Sequence, residues 1–144
     1  MSALFEHSPW VEERADSRPS SGDRHADLMA VVYGATPEER LALIRAHPEL
    51  AGKAAIALTE ASAAEQASAG LDRLSRAEFE RFHALNAAYR DKFAFPFIIC
   101  VRLTDKAGIL AAMERRLAND RDTEIATALD EIGKIVRLRL EVGA

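Results

Sequence analysis

Residues 36–48, TPEERLALIRAHP, decide the fold most clearly, because they encode a helix together with both of its ends. Thr36 stands at the N-cap and Pro37 at the first turn, where its missing N–H costs nothing, and two glutamates follow near the positive end of the helix dipole. His47 precedes Pro48, and a residue before proline avoids the right-handed helical region. The sequence therefore predicts a helix that ends at about His47.

His47 is the first candidate for chemistry in this stretch. The carbonyl end of a helix favours a charged imidazolium, and a side chain in the following loop can face a cleft. The alternative is a capping histidine that only hydrogen-bonds the last carbonyl groups of the helix. The stretch alone leaves both interpretations open.

Helical signals recur along the whole chain. Apolar periodicity and capping residues predict further helices at about residues 24–33, 58–71, 75–91, 104–117 and 123–140. With 144 residues, the chain has the size of one domain with a continuous core. We therefore predict a single all-α domain, residues 1–144, of about seven to eight helices.

Residues 93–101, FAFPFIICV, carry no charge, so this segment must be buried. Periodicity does not distinguish a strand from a buried irregular segment here, although Pro96 argues against an inner strand. If the segment is extended and unpaired, its backbone amides from Phe97 onward need acceptors. A polar ligand could supply them.

Composition excludes several classes of function. The 19 basic and 23 acidic residues give a net charge of −4 with no basic stripe, which argues against a nucleic-acid partner. Cys100 is the only cysteine, so no internal disulfide can form, and no apolar run approaches membrane-spanning length. With no signal pattern at the N-terminus, we expect a soluble cytoplasmic protein. The cysteine and histidine spacings match no metal motif, so we predict no metal site.

Several polar side chains stand where packing would favour apolar ones. Ser62, Glu65 and Gln66 share one face of the alanine-rich helix at 58–71, although Ser62-x-x-Glu65 also matches a capping box. Arg139 falls inside the apolar stripe of the last helix, so it needs a carboxylate or an anionic ligand unless it reaches water near the helix end. Such a set suggests a small, polar, anionic substrate.

Several blocks of the sequence, taken in order, resemble one family. They are His47-Pro48-Glu49-Leu50-Ala51-Gly52, Leu58-Thr59 with Ser62-x-x-Glu65-Gln66 and Gly70-Leu71, Leu85-Asn86-x-x-Tyr89, Lys92-Phe93-x-Phe95-Pro96-Phe97-Ile98 and Arg137-Leu138-Arg139-Leu140. On these motifs the protein resembles the OHCU decarboxylases, named for 2-oxo-4-hydroxy-4-carboxy-5-ureidoimidazoline. The resemblance extends from Glu6-His7-Ser8-Pro9-Trp10-Val11 to the last helix, which is nearly the whole chain. That family performs the last of three steps from urate to (S)-allantoin. Ala94 departs from the pattern, because the family usually has glycine there.

The resemblance implies an all-α homodimer that acts as a carboxy-lyase without cofactor or metal. It implies that His47 and Glu65 are catalytic residues, His47 as the acid/base and Glu65 as the acceptor of the ureido N–H groups, and that Arg139 faces an anionic or carbonyl edge of the substrate. The other implied substrate-binding residues, the last five through main-chain amides, are Pro48, Ser62, Ala63, Ala64, Gln66, Phe97, Ile98, Ile99, Cys100 and Val101. A non-catalytic helical module and a different small-acid enzyme on the same fold are the alternatives.

Overall fold

The computed structural model describes residues 4–5, 8–47, 65–67, 70–71 and 74–143. Residues 65–67 are helical, and no strand occurs in the described ranges, so the all-α prediction is confirmed. A 3-10 turn at Val101–Leu103 precedes the fifth α-helix. The α-helices with described bounds are α1 (Trp10–Asp16), α2 (Arg24–Gly34), α3 (Pro37–Arg45), α4 (Arg76–Phe93), α5 (Lys106–Arg116) and α6 (Arg121–Gly143).

Helix α3 begins where the capping signals predicted. The Thr36 hydroxyl accepts the Glu39 amide at 3.1 Å, and the Glu39 carboxylate accepts the Thr36 amide at 3.1 Å, which completes a capping box. Arg14 of α1 donates both terminal nitrogens to the same carboxylate, at 3.1 and 2.7 Å. These hydrogen bonds lower the pKa of Glu39 to about 2, with Arg14 as the main cause. One glutamate therefore fixes the start of α3 and ties it to α1.

The core forms around the apolar face of α6, which packs against α2 and α3. Ile125 on this face is partly exposed, and the five apolar residues that follow it on the face are buried: Ala128, Leu129, Ile132, Ile135 and Val136. Near the N-terminus, Phe5 and Val11 are buried in the same core.

The uncharged segment at residues 93–101 contains no strand: Phe93 ends α4, residues 94–100 are irregular, and Val101 begins the 3-10 turn. Its side chains Phe95, Phe97, Ile98 and Cys100 are buried, so the prediction of burial is confirmed. Phe95 and Phe97 both make edge contacts with the Tyr89 ring of α4, at centroid distances of 5.9 and 5.2 Å. These aromatic contacts anchor an irregular backbone in the core.

Ala94 connects α4 to this segment in an unusual conformation. It is the C-cap residue of α4, with φ 66° and ψ 25°, in the left-handed region that glycine occupies without steric cost. For an alanine the left-handed conformation costs about 1–2 kcal/mol. The backbone geometry at this position therefore favours glycine over the alanine that this chain carries.

We expect Ala94→Gly to raise the stability by roughly 0.5–1 kcal/mol, because the relief of left-handed strain exceeds the extra entropy of glycine in the unfolded chain. Urea denaturation measures the change. The matched control is Ala84→Gly, the same substitution at an exposed site inside α4, which should lower the stability by about 1 kcal/mol. A lower stability for Ala94→Gly would contradict the strain at residue 94.

Candidate active site

His47 lies just beyond the end of α3, as predicted: the helix ends at Arg45, and Ala46 is the C-cap. The side chain is buried, and its Nδ1 lies 3.1 Å from the main-chain oxygen of Leu43. Because a carbonyl oxygen only accepts, Nδ1 must carry the hydrogen, and Nε2 is then the atom that can exchange a proton. The capping bond is therefore present, and it also orients the imidazole as an acid/base group requires.

The end of α3 lies against the start of the irregular segment. Arg45, two residues before His47, donates its Nε to the main-chain oxygen of Ala94 at 3.1 Å. His47 and the segment at residues 94–101 therefore come from neighbouring parts of the structure, although about fifty positions separate them in sequence.

Two of the predicted site residues contact each other directly. Arg139 donates Nε to Glu65 Oε2 at 2.9 Å and Nη2 to Glu65 Oε1 at 2.8 Å, which is a bidentate pair. Their side chains are only 7% and 12% exposed. Arg139 Nη1 also donates to the main-chain oxygen of Leu4 at 3.2 Å. Of the alternatives for Arg139, pairing with an internal acid is the one the structure contains.

The helix that carries Glu65 ends just before Gly70, a residue type that is typical of the position after a helix end. Gly70 has φ 82°, its amide donates to the oxygen of Ala67, and the Leu71 amide donates to the oxygen of Gln66. These two bonds form a Schellman motif with Gly70 in the left-handed position. Gln66 is half-buried one residue after Glu65. Four predicted site residues lie outside the described ranges, together with the capping-box interpretation of Ser62: Pro48, Ser62, Ala63 and Ala64.

The backbone amides of the irregular segment divide into two groups. The Cys100 amide donates to Glu131 Oε1 at 2.8 Å, so this amide, predicted to bind substrate, is already engaged by a protein carboxylate. Within the part of the chain that the structure describes, no acceptor contacts the amides of Phe97, Ile98, Ile99 and Val101. Buried N–H groups need an acceptor, so these four amides are suited to a polar ligand.

The Cys100 side chain is buried within this segment. Burial is the main cause that raises the pKa of the Cys100 thiol, and the carboxylates of Glu131 and Glu65 raise it further. The thiol thus lies within the electrostatic reach of Glu65 and stays protonated near neutral pH. Cys100 is a packed, unreactive thiol, as its apolar neighbours in sequence indicate.

Sequence reasoning missed a buried ionic cluster beside the segment. Glu124 of α6 is fully buried and accepts from Tyr89 Oη at 2.5 Å, Arg116 Nε at 2.9 Å and Asn119 Nδ2 at 2.8 Å. Burial, followed by the bond to Glu124, raises the pKa of Tyr89, so the phenol remains a donor. The signal was available, because Glu124 lies four residues before buried Ala128 on the apolar stripe of α6.

Two classes of site find no support in the described residues. No group of three or more His, Cys, Asp or Glu side chains there has a geometry that could hold a metal ion. Among the helices whose residues are described, none combines the length and the apolar character that crossing a bilayer requires.

Comparison with known proteins gives consistent matches over the whole chain. The OHCU decarboxylase family model matches residues 1–141. The 2-oxo-4-hydroxy-4-carboxy-5-ureidoimidazoline decarboxylase of Haloferax volcanii is 47% identical over 140 residues, which cover 95% of this chain and 82% of that protein. The uric acid degradation bifunctional protein PucL of Bacillus subtilis is 41% identical over 143 residues, which cover 97% of this chain and 28% of the length of PucL.

Solved structures agree. An (S)-allantoin synthase crystal structure superposes with a TM-score of 0.72 at 32% identity, covering 96% of this chain and 46% of the other. A crystal structure of OHCU decarboxylase in the presence of (S)-allantoin superposes with a TM-score of 0.74 at 21% identity, covering 95% and 92%, and supports the fold alone. Fold and relatives together define the class of protein, an all-α decarboxylating lyase. The chain belongs to the OHCU decarboxylase family, as the resemblance of its motifs predicted.

Proposed function

We propose that this protein decarboxylates 2-oxo-4-hydroxy-4-carboxy-5-ureidoimidazoline to (S)-allantoin, the last step of urate degradation. The structural observation that carries the proposal is the buried, bidentate Glu65–Arg139 pair, together with the backbone amides of Phe97, Ile98, Ile99 and Val101, which have no acceptor among the described residues. Charged groups at core positions are costly, so a chain that retains them, and that also has backbone donors without an acceptor in its described part, is suited to a polar, anionic substrate. Family membership over residues 1–141 supports the same substrate.

Each group has a role that suits its chemistry. Glu65 accepts the ureido N–H groups, and its bond to Arg139 does not prevent this, because a carboxylate can accept about four hydrogen bonds. Arg139 faces the anionic or carbonyl edge of the substrate, and the amides of Phe97, Ile98, Ile99 and Val101 donate to ring oxygens. Pro48 and the residues from Ser62 to Gln66 complete the binding surface around the ureido and ring groups.

The ring C=N bond of the substrate can accept the electron pair that decarboxylation releases, so the substrate itself supplies the electron sink. When CO₂ leaves, the electrons of the broken C–C bond form a double bond to the neighbouring ring carbon, and the C=N electrons move to nitrogen, which takes up a proton. The product of this step is an enol. The protein must hold the carboxylate out of the ring plane, because only then does the breaking bond overlap with the C=N π system.

His47 handles the proton of the substrate hydroxyl. Nδ1 is committed to the Leu43 carbonyl, so Nε2 takes this proton while the enol becomes a ring carbonyl and the adjacent carbon is protonated. General acid–base help of this kind is typically worth about 10²–10⁴ in rate. Protonation from a single face sets the S configuration at the carbon that carries the ureido group.

The decisive test generates the unstable substrate in situ from urate with the two upstream enzymes and follows the circular dichroism of allantoin. With this protein present, we expect a fast, optically active product. The same mixture without the protein should give racemate by spontaneous decay. Equal rates and equal optical activity in both mixtures would overturn the proposal and favour a non-catalytic helical module or a different small-acid substrate.

We also infer a cytoplasmic homodimer, as the resemblance implies. Sedimentation velocity should then give twice the monomer mass of 15.8 kDa. A monomer at micromolar concentration would contradict the assembly without affecting the proposed reaction.

A further inference from the structure

Arg116, at the end of α5, is buried and contacts the irregular segment twice. Its Nη1 donates to the main-chain oxygen of Ile98 at 2.7 Å, and its guanidinium carbon lies 4.3 Å from the ring centroid of Phe97. Among the described residues Nη2 has no hydrogen-bond acceptor. The bond from Nη1 is thus the contact of the guanidinium with the main chain, and the peptide group that it binds is the one that joins Ile98 to Ile99.

That peptide group connects Arg116 to a possible ligand donor. The Ile98 carbonyl and the Ile99 N–H belong to the same plane, and in a trans peptide they point in opposite directions. By holding the carbonyl, Arg116 turns the Ile99 N–H away from itself. A cationic donor on the carbonyl also polarises the peptide and makes its N–H a stronger donor.

The next peptide group, which joins Ile99 to Cys100, is also fixed by a charged side chain. The Cys100 amide, which shares its plane with the Ile99 carbonyl, donates to Glu131 on α6. Both planes that flank Ile99 are thus fixed by charged groups, Arg116 on one side and Glu131 on the other. Ile99 itself is only half-buried, and in the described part of the chain its N–H has no acceptor.

Arg116 belongs to the buried ionic cluster around Glu124, and this cluster holds the guanidinium in one orientation. Glu124 receives three donors, from α4, α5 and the α5–α6 turn, and fixes the guanidinium through Nε. A buried ion pair of this kind is often no more stabilising than apolar side chains of similar volume. Its position suggests that it is retained for the orientation it imposes on residues 98–99.

We propose that Arg116 is a positioning residue, held by Glu124, that aims the Ile99 N–H at a ring oxygen of the substrate and strengthens it as a donor. This inference rests on the proposed function. Arg116 acts only through the Ile98–Ile99 peptide and does not itself contact the substrate.

The test uses the double variant Arg116→Met/Glu124→Gln, because removing the arginine alone would leave a buried carboxylate without its charged partner. We expect the double variant to fold with a similar melting temperature and to lose at least tenfold in kcat/KM. Arg116→Lys should recover only part of this loss, since one ammonium cannot reproduce the forked contact with Glu124 and Ile98.

The matched control is Arg121→Met. Arg121 also donates to a backbone carbonyl, that of Phe93 at 3.2 Å, and lies over a phenylalanine ring, but the peptide it holds is outside residues 97–101. We expect wild-type kinetics for this control. A tenfold loss there would show that any arginine–carbonyl bond near the segment has the same effect, and would overturn the specific role of Arg116.

A readout independent of turnover is the ¹⁵N–¹H resonance of Ile99. In the wild type it should move on titration with (S)-allantoin, and in the double variant it should shift upfield without ligand and respond less to the same titration. Unchanged kcat/KM with an unchanged Ile99 resonance would overturn the inference even if the melting temperature fell. A wild type without decarboxylase activity would instead overturn the proposed function. The two failures are distinguishable, because the inference about Arg116 fails when an active wild type and the double variant behave alike.

Discussion

Replacing His47 by asparagine is expected to lower kcat by about 10²–10⁴ while the protein still folds. Asparagine can keep a hydrogen bond to the Leu43 carbonyl, but its amide cannot exchange protons near neutral pH. Stopped-flow decay of substrate generated in situ measures the effect. The matched control is His83→Asn, because His83 is exposed and only stacks on Phe79, and its removal should leave kcat unchanged.

His47→Ala is a less clean test than the sequence suggests. A residue after a helix end contributes little to the core in general, yet here the imidazole is buried and bonds the Leu43 carbonyl. Truncation therefore removes a hydrogen bond worth about 1 kcal/mol and leaves a small cavity as well. If His47→Asn retained near wild-type kcat, His47 would only orient the substrate, and another group would have to move the hydroxyl proton.

The helical framework could be predicted because its signals are local. Thr36, Pro37 and Gly70 mark helix ends through their own backbone preferences, and the structure has helix ends at these positions. The conformation of residues 94–101 could not be predicted in the same way. It depends on the left-handed turn at Ala94 and on partners such as Glu131, which is 31 positions from Cys100.

The candidate site was predictable in its residue types but not in its pairings. The sequence shows that Arg139 on an apolar stripe needs a planar acceptor, but it does not say which of the acidic residues supplies it. Glu65, 74 positions away, is that residue. Glu124 was missed although its spacing from Ala128 places it on the apolar stripe of α6, because the three donors that satisfy its carboxylate lie on other parts of the chain and cannot be identified from that spacing.

Glu65 and Arg139 can stabilise the fold through their ion pair and can also bind the substrate, and two variants distinguish these roles. Because both side chains are largely buried, Arg139→Met should remove the bidentate cationic partner of the Glu65 carboxylate and cost about 3–5 kcal/mol of stability. The double variant Glu65→Gln/Arg139→Met removes both charges and should recover most of this loss. A single-site change at Arg139 therefore mixes folding with binding, whereas the double variant isolates the ligand contribution.

Glu65→Gln is expected to fold and to lose at least about tenfold in kcat/KM. A glutamine presents an NH₂ donor to the ureido N–H groups, so one hydrogen bond is lost and a repulsive contact replaces it, roughly 2–4 kcal/mol in a closed site. Arg139 keeps one oxygen acceptor in this variant, so the melting temperature should fall only modestly. The double variant should recover most of the stability lost in Arg139→Met, and its kcat/KM should be no higher than that of Glu65→Gln. Wild-type kcat/KM in both variants would mean that the pair only holds α6 to the helical residues 65–67, and the substrate carboxylate and ureido group would then have to bind elsewhere.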